Sequence, residues 1–461
     1  MVATSQPRAT RAGLRILELG GSAADAAVAA SAVLCVTEPM STSVAGDCFA
    51  IVASGADVHG LDAAGPAPRL ASPDAPIEES GPTSVTVPGA VRGWAALNER
   101  YGKLGLDECL ADAIDAAESG FAVAPMCAYY WNMAERAPRE FGPPPSVGDV
   151  VRLKELGSSL RAIAESGPDA FYSGRIGAAI VDSSWLAEDD LAEYEARWVA
   201  PIRLTYHGVE VLELPPPNQG IVALEALGLF ERGDPTLAHM VESTRLALED
   251  GLKRVRDGAD VSDLLSSDYL DGRSNDAARP VTEPGGGTVY LCAVDQDGLA
   301  VSFIQSCYQP FGSGIVAPGT GIVLQNRGAC FSVNGAIEPG RRPYHTIIPG
   351  MLRRDGAILG PFGIMGAFIQ AQAHAQFVHS VVDHGLDPQA ALDAARFRVD
   401  GERVFLEPPL WDRAAELAGS PLEVVKEDEV AGFGGGQAIF REGDVLIGGS
   451  DPRKDGYAAG F

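Results

Sequence analysis

Apolar positions along residues 8–36 recur at helical spacing in two runs, Arg11 to Leu19 and Ala23 to Leu34. Gly20-Gly21 separates them, and Ser22 is placed to cap the second. That second run is small and apolar nearly all round, so it predicts a helix buried against a sheet. Beyond Thr37-Glu38-Pro39 and a loop of small residues at Ser41 to Asp47, the pattern turns to strand at Cys48 to Ala53 and Val58 to Leu61, a hairpin across Ser54-Gly55. Residues 63–84 are rich in Pro, Ala, Ser and Gly and read as loop. Helices are expected from Val87 to about Tyr101, over 106–119 and 126–139, and over 150–185 with a turn at Ser173-Gly174. Strands at Ile202 to Tyr206 and Val209 to Leu214 precede helices at about Ile221 to Phe230 and Thr236 to Asp257. Residues 271–287 are polar and Gly/Pro-rich and predict an exposed, cleavable linker. Later come a strand near Ile322 to Leu324, a helix over 370–384 bearing His374, His379 and His384, and strands alternating with glycine turns from Gly434 to Phe461.

The chain is organised around the segment at the end of that linker. A triple glycine, 285–287, precedes Thr288 and the apolar run Val289 to Val294. An Asp297-Gly298 turn then leads into a second strand from Leu299 to Ile304. If the bond between Gly287 and Thr288 breaks, Thr288 gains a free α-amino group beside its own hydroxyl. That amine has a reference pKa of about 7.7 to 8.0, so one residue then carries both nucleophile and base. Taken alone, the same residues also read as a strand that begins after a glycine linker.

Composition narrows the classes. A length of 461 residues allows two or three ordinary domains or one large α/β unit, with 46% hydrophobic residues for a core. A net charge of −27 argues against nucleic acid and anionic membranes as partners. Seven cysteines (35, 48, 109, 127, 292, 307 and 330) form an odd number without a C-x-x-C pair, and read as reduced core residues of a cytoplasmic protein. No signal peptide is visible before Pro7, and no apolar run reaches the length of a membrane span. The histidines lack ligand spacing with carboxylates or thiols, so no metal and no other cofactor is expected.

Several pieces resemble the γ-glutamyltranspeptidase family of N-terminal-nucleophile hydrolases. They are Gly20-Gly21-Ser22-Ala23-Ala24-Asp25, Val87-Pro88-Gly89-Ala90-Val91-Arg92-Gly93, Leu214-Pro215-Pro216-Pro217-Asn218-Gln219-Gly220, Gly287-Thr288 with Val294-Asp295-Gln296-Asp297-Gly298, Phe311-Gly312-Ser313-Gly314, Pro318-Gly319-Thr320-Gly321 and Arg341-Arg342-Pro343. They run in the family's order along essentially the whole chain, and Gln325-Asn326-Arg327-Gly328 and Gly363-Ile364-Met365-Gly366 look like a bacterial branch without a signal peptide. The resemblance implies an α+β fold, a four-layer αββα sandwich. It also implies self-cleavage before Thr288 into a large subunit, 1–287, and a small catalytic one, 288–461, intertwined in one domain. Thr288 then attacks an acyl substrate and passes the acyl group to water or an amine. Relatives of this kind often pair, so a homodimer is a further expectation.

Site residues carry over by position. Ser306 falls where the family has a hydroxyl that bonds the nucleophile and assists processing. Gly366 and Ala367 fall on the Gly-Gly whose N–H groups form the oxyanion hole. His345 and Thr346 replace two serines that hold the substrate carboxylate, and His345 is expected to titrate near neutral pH. His374 reads as a core or supporting residue. The family's carboxylate-binding arginine is absent from Leu61 to Pro68, with Arg69 just beyond. Tyr308, Arg327 and Cys330 occupy the positions that would hold the α-amino group, where an arginine repels an ammonium and a cysteine cannot replace a carboxylate. Losing a bidentate arginine contact costs roughly two or three orders of magnitude in affinity.

Glutamyl recognition therefore reads as rebuilt around retained chemistry. The first expectation is a self-processing hydrolase or acyltransferase of a γ-glutamyl-like amide or other small acyl substrate. The second is a carbon–carbon bond hydrolase that removes an oxalyl-type fragment in the biosynthesis of a natural product such as an antibiotic. The third is an uncut, non-catalytic scaffold.

Overall fold

Strands that alternate or run wholly apolar pair into two antiparallel sheets that pack face to face, with helices over the outer side of each. The computed structural model describes residues 1–274 and 286–461. One sheet has seven strands in the order Tyr457–Ala459, Val2–Thr4, Gly287–Val294, Ala300–Tyr308, Asp47–Ser54, Asp57–Ala63 and Arg197–Val199. The other has six, in the order Val445–Ser450, Gly435–Glu442, Ala357–Met365, Gly350–Arg354, Val209–Glu213 and Ile202–Tyr206. Phe49, Ile51, Tyr290, Cys292 and Ile304 from the first meet Leu212, Met351, Met365 and Ile439 from the second in the central core. The fold is α+β, and its layers run helix, sheet, sheet, helix.

The helix Ala23–Thr37 is buried along its full length on the outside of the seven-stranded sheet. Its alanines leave little side chain to hold neighbours away. A capping box closes its start: Ser22 Oγ accepts from Asp25 N–H at 3.1 Å, and Asp25 Oδ2 accepts from Ser22 N–H at 2.9 Å. On the far side Gly220–Phe230, Leu237–Arg254 and Ile369–Val382 cover the six-stranded sheet.

Several expected boundaries shift. The helix over 126–139 stops at Met133, and a 3-10 turn follows at Arg139–Phe141. The stretch 150–185 begins as the short strand Val150–Val151 and then breaks into helices Lys154–Ser166, Asp169–Tyr172 and Gly174–Asp182. The linker expected over 271–287 is helical at Asp271 to Arg273 and strand at Gly287, and its residues 275–285 lie outside the described ones. The hairpin Gly350–Arg354 and Ala357–Met365, turning at Asp355 and Gly356, forms the middle of the second sheet without having been expected. All seven cysteines are free and buried. No helix among the described residues is long and apolar enough to cross a membrane.

Candidate active site

Strands Gly287–Val294 and Ala300–Tyr308 pair in regular register from Ala300 opposite Val294 to Gln305 opposite Val289. A bulge then places Tyr308 opposite Gly287, with Tyr308 at φ +78. The bulge turns Ser306 toward the junction. Ser306 Oγ donates to the carbonyl oxygen of Gly287 at 2.6 Å and accepts from Thr288 Oγ1 at 3.3 Å and from Tyr308 N–H at 2.8 Å. One hydroxyl thus bonds the Gly287 carbonyl, the Thr288 hydroxyl and the bulge at Tyr308. Glycine is required at 287: a Cβ there would lie 2.9 Å from Met40 O and 3.1 Å from Ser41 Cα. At Gly46, whose loop backs the Ser306 strand, a Cβ would come within 2.4 Å of Ser306 O.

Gly366 and Ala367 lie between the strand Ala357–Met365 and the helix Ile369–Val382. Gly366 has φ +133 and Ala367 φ +61, so alanine keeps the left-handed backbone that its position demands. Gly366 shares a cavity of about 60 Å³ with Thr288, Gly287, Ser41, Tyr130 and Lys454. The Pro-Pro-Pro-Asn-Gln-Gly stretch braces this corner. Gln219 Nε2 donates to Thr346 O and, at 3.2 Å, to Ala367 O, while Asn218 Nδ2 donates to Ile347 O. His374 is a supporting residue: Ile364 N–H donates to its Nε2 at 3.1 Å, which leaves the proton on Nδ1 to donate to Glu213 at 2.7 Å. Burial holds its pKa down to about 3.

On the other side of Tyr308 lie the remaining residues expected in the pocket. Arg327 is fully buried and stacks on the Tyr308 ring at 4.6 Å. Its Nη1 donates to Thr346 Oγ1 at 3.2 Å and to Cys330 Sγ at 3.6 Å, whereas Nε and Nη2 have no partner. Burial raises the thiol pKa of Cys330. His345 departs from expectation. It is fully buried, and desolvation, with Arg327 nearby, holds its pKa down to about 4, so it is neutral at pH 7. Its Nε2 lies 3.2 Å from Asp47 Oδ2 without hydrogen-bond alignment. Asp47 Oδ1 accepts from Gly65 N, Gly89 N and Gln325 Nε2.

Arg69 does not stand in for the missing arginine, because it is half-exposed and pairs with Glu193 and Asp190. Two neighbours of the site went unread in the sequence, Asp47 and Lys454. Lys454 Nζ stands 3.8 Å from the Tyr130 ring centre, and both residues line the cavity beside Thr288. Among the described residues, no group of three or more His, Cys, Asp and Glu side chains comes together to hold a metal ion.

Known proteins match the chain over nearly its whole length. The gamma-glutamyltranspeptidase family profile matches residues 9–461. The glutathione hydrolase-like YwrD proenzyme of Bacillus subtilis is 32% identical, with 100% of this chain and 98% of the relative aligned. The oxamate amidohydrolase proenzyme of Klebsiella pneumoniae is also 32% identical, over 98% of this chain and 97% of its own. The crystal structure of cephalosporin acylase from Bacillus halodurans superposes with a TM-score of 0.93 at 41% identity, covering 99% of this chain and 95% of that one.

Proposed function

The chain belongs to the gamma-glutamyltranspeptidase family of N-terminal-nucleophile hydrolases, and from that premise we propose a self-processing threonine acyl hydrolase or acyltransferase with altered glutamyl recognition. The observation that carries the reading is the hydrogen-bonding of Ser306 Oγ to both sides of the Gly287–Thr288 junction.

Thr288 Oγ1 attacks the carbonyl carbon of Gly287, and the charge that develops on the carbonyl oxygen falls on the Ser306 hydroxyl. The C–N bond breaks, and the hydroxyl proton ends on the departing nitrogen, which becomes the α-amine of Thr288. Water hydrolyses the resulting ester, leaving fragments 1–287 and 288–461. In the mature enzyme the freed amine takes the hydroxyl proton, Thr288 attacks the substrate carbonyl, and the N–H groups of Gly366 and Ala367 receive the oxyanion. The acyl-enzyme then passes to water or an amine. The relatives act under names that span glutathione, oxamate and acylase substrates, consistent with one machinery and variable pockets. A small acyl amide fits this chain, with the α-amino group of glutamate disfavoured by Arg327.

Denaturing electrophoresis and intact mass test the reading. Wild-type protein is expected as two pieces of 1–287 and 288–461, and Thr288→Ala as one uncut chain. Cleavage of the alanine variant at the same bond would remove Thr288 from the role.

A further inference from the structure

The helix Pro125–Met133 starts without a cap of its own. Pro125 opens it, and Ala124 just before offers no side-chain oxygen to the N–H groups of the first turn. Those oxygens come from a distant part of the chain. Asp455 Oδ1 accepts from Met126 N–H at 3.0 Å and Oδ2 from Cys127 N–H at 2.9 Å, with Gln6 Nε2 donating to Oδ2 at 3.4 Å. A carboxylate there also meets the positive end of the helix dipole. The residues before Asp455 are locked in place. Arg453 Nε donates to Glu407 Oε1 at 2.7 Å and its Nη1 to Asp451 Oδ1 at 3.1 Å, while Arg396 Nη2 donates to Asp451 Oδ2 at 2.6 Å, and all four side chains are buried. Lys454 sets its Nζ over the Tyr130 ring. One anchored segment thus grips the helix at its first turn and again at Tyr130.

We propose that Asp455 is a positioning residue for turnover: capping the helix from across the cleavage boundary, it holds Tyr130 as a fixed wall of the cavity in which Thr288 works. This rests on Thr288 being the nucleophile. The cavity measures only about 60 Å³, and Tyr130 lines it together with Thr288, Gly286 and Gly287. In the uncut chain those glycines are wedged: a Cβ on Gly286 would lie 2.9 Å from Tyr308 O, and one on Gly287 2.9 Å from Met40 O. Cutting after Gly287 frees that segment, and the wall across the cavity then depends on what else fixes the helix. Trp131 meets Phe311 edge-on with ring centres 5.6 Å apart, and Cys127 Sγ donates to Thr37 O at 3.1 Å. Two charge-assisted hydrogen bonds to one carboxylate fix the first turn far more tightly than a ring edge or a thiol does. A wall displaced by about 1 Å beside a nucleophile costs up to about a hundred-fold in rate.

The test uses the full-length, self-cut protein with acetyl-, glutaryl- and γ-glutamyl-p-nitroanilide. Asp455→Ala is expected to mature into the same two fragments and to lose about ten-fold in kcat/KM on the anilide that the wild type cuts fastest, with KM raised as well as kcat lowered. A smaller folded fraction alone would leave KM where it is. Asp455→Asn, with one carbonyl oxygen for two N–H groups, lies between. Ala124→Ser gives the helix a cap of its own; alone it leaves turnover unchanged, and in Asp455→Ala it restores thermal stability without restoring kcat/KM, because the helix is still untied from the segment carrying Lys454. Hydrogen exchange needs no substrate: amides of 125–133 and of the peptide beginning at Thr288 should exchange faster in Asp455→Ala. Full recovery of turnover by Ala124→Ser would make Asp455 a helix cap and nothing more, and unchanged exchange or unchanged KM in Asp455→Ala also overturns the positioning role. Gels of the same preparations separate the two ideas: failure of the wild type to cut sinks the nucleophile, whereas normal cutting with turnover indifferent to Asp455 sinks only the tie.

Discussion

Ser306 Oγ makes one donated and two accepted hydrogen bonds, and so uses its full capacity on the junction. Removing it leaves the Gly287 carbonyl without its donor in a buried site. Ser306→Ala is therefore expected to slow self-cleavage by about a hundred-fold, the usual cost of one donor to a developing oxyanion. A time course of fragment appearance measures this, and an unchanged rate would take Ser306 out of processing. His345 gives a pH prediction whose sign follows from burial. Its folded pKa is lowered from 6.5 to about 4, with Asp47, Arg327 and Arg342 as the charged groups facing it. The unfolded chain therefore takes up the proton first, and stability present above pH 6.5 is lost as pH falls toward 4. The whole effect is on the order of 3 kcal/mol. Urea unfolding at pH 7 and pH 4.5 should show a smaller loss for His345→Gln than for the wild type. Equal losses would mean that another group carries the slope.

Between the residue and the molecule, the element on which the proposed self-cleavage turns is the bulged hairpin end, and a neighbouring loop packs against it. Gly46 sits so close to Ser306 O that any side chain must push the strand. Gly46→Ala is expected to retard cleavage at least ten-fold while far-ultraviolet circular dichroism stays native; brisk cleavage would show that the strand tolerates the shift. The sequence signalled the helix Ala23–Thr37, with its Ser22 cap, and the Thr288 hairpin, because both carry strong local patterns. It did not signal Gly350–Arg354 or Val2–Thr4. The first is buried through Gly350, Met351 and Leu352 on a sheet covered on both sides, so no alternation marks it. The second is three residues long and exists only because two other strands flank it. Asp47 and Lys454 were illegible for the same reason. Sheet pairing and packing bring them to the site from distant parts of the chain, and no local pattern announces that. His345 was misjudged because its burial is a tertiary fact.

Sheet order decides what the whole molecule does once cut. The strand Gly287–Val294 lies between Val2–Thr4, which the proposed break would leave on the first fragment, and Ala300–Tyr308, which in turn pairs with Asp47–Ser54. The second sheet is also mixed, since Val209–Glu213 pairs with Gly350–Arg354. The N-terminal amine donates to Val294 O at 2.8 Å across the same seam. Separating the fragments would strip both sheets at once and expose the apolar faces between and outside them, so processing is not expected to release either piece. Fragments 1–287 and 288–461 should elute together in native size-exclusion chromatography, unfold in a single transition, and part only in denaturant. Elution of a free 288–461 piece with activity would mean that the small fragment folds alone, which the central position of the Thr288 strand does not allow.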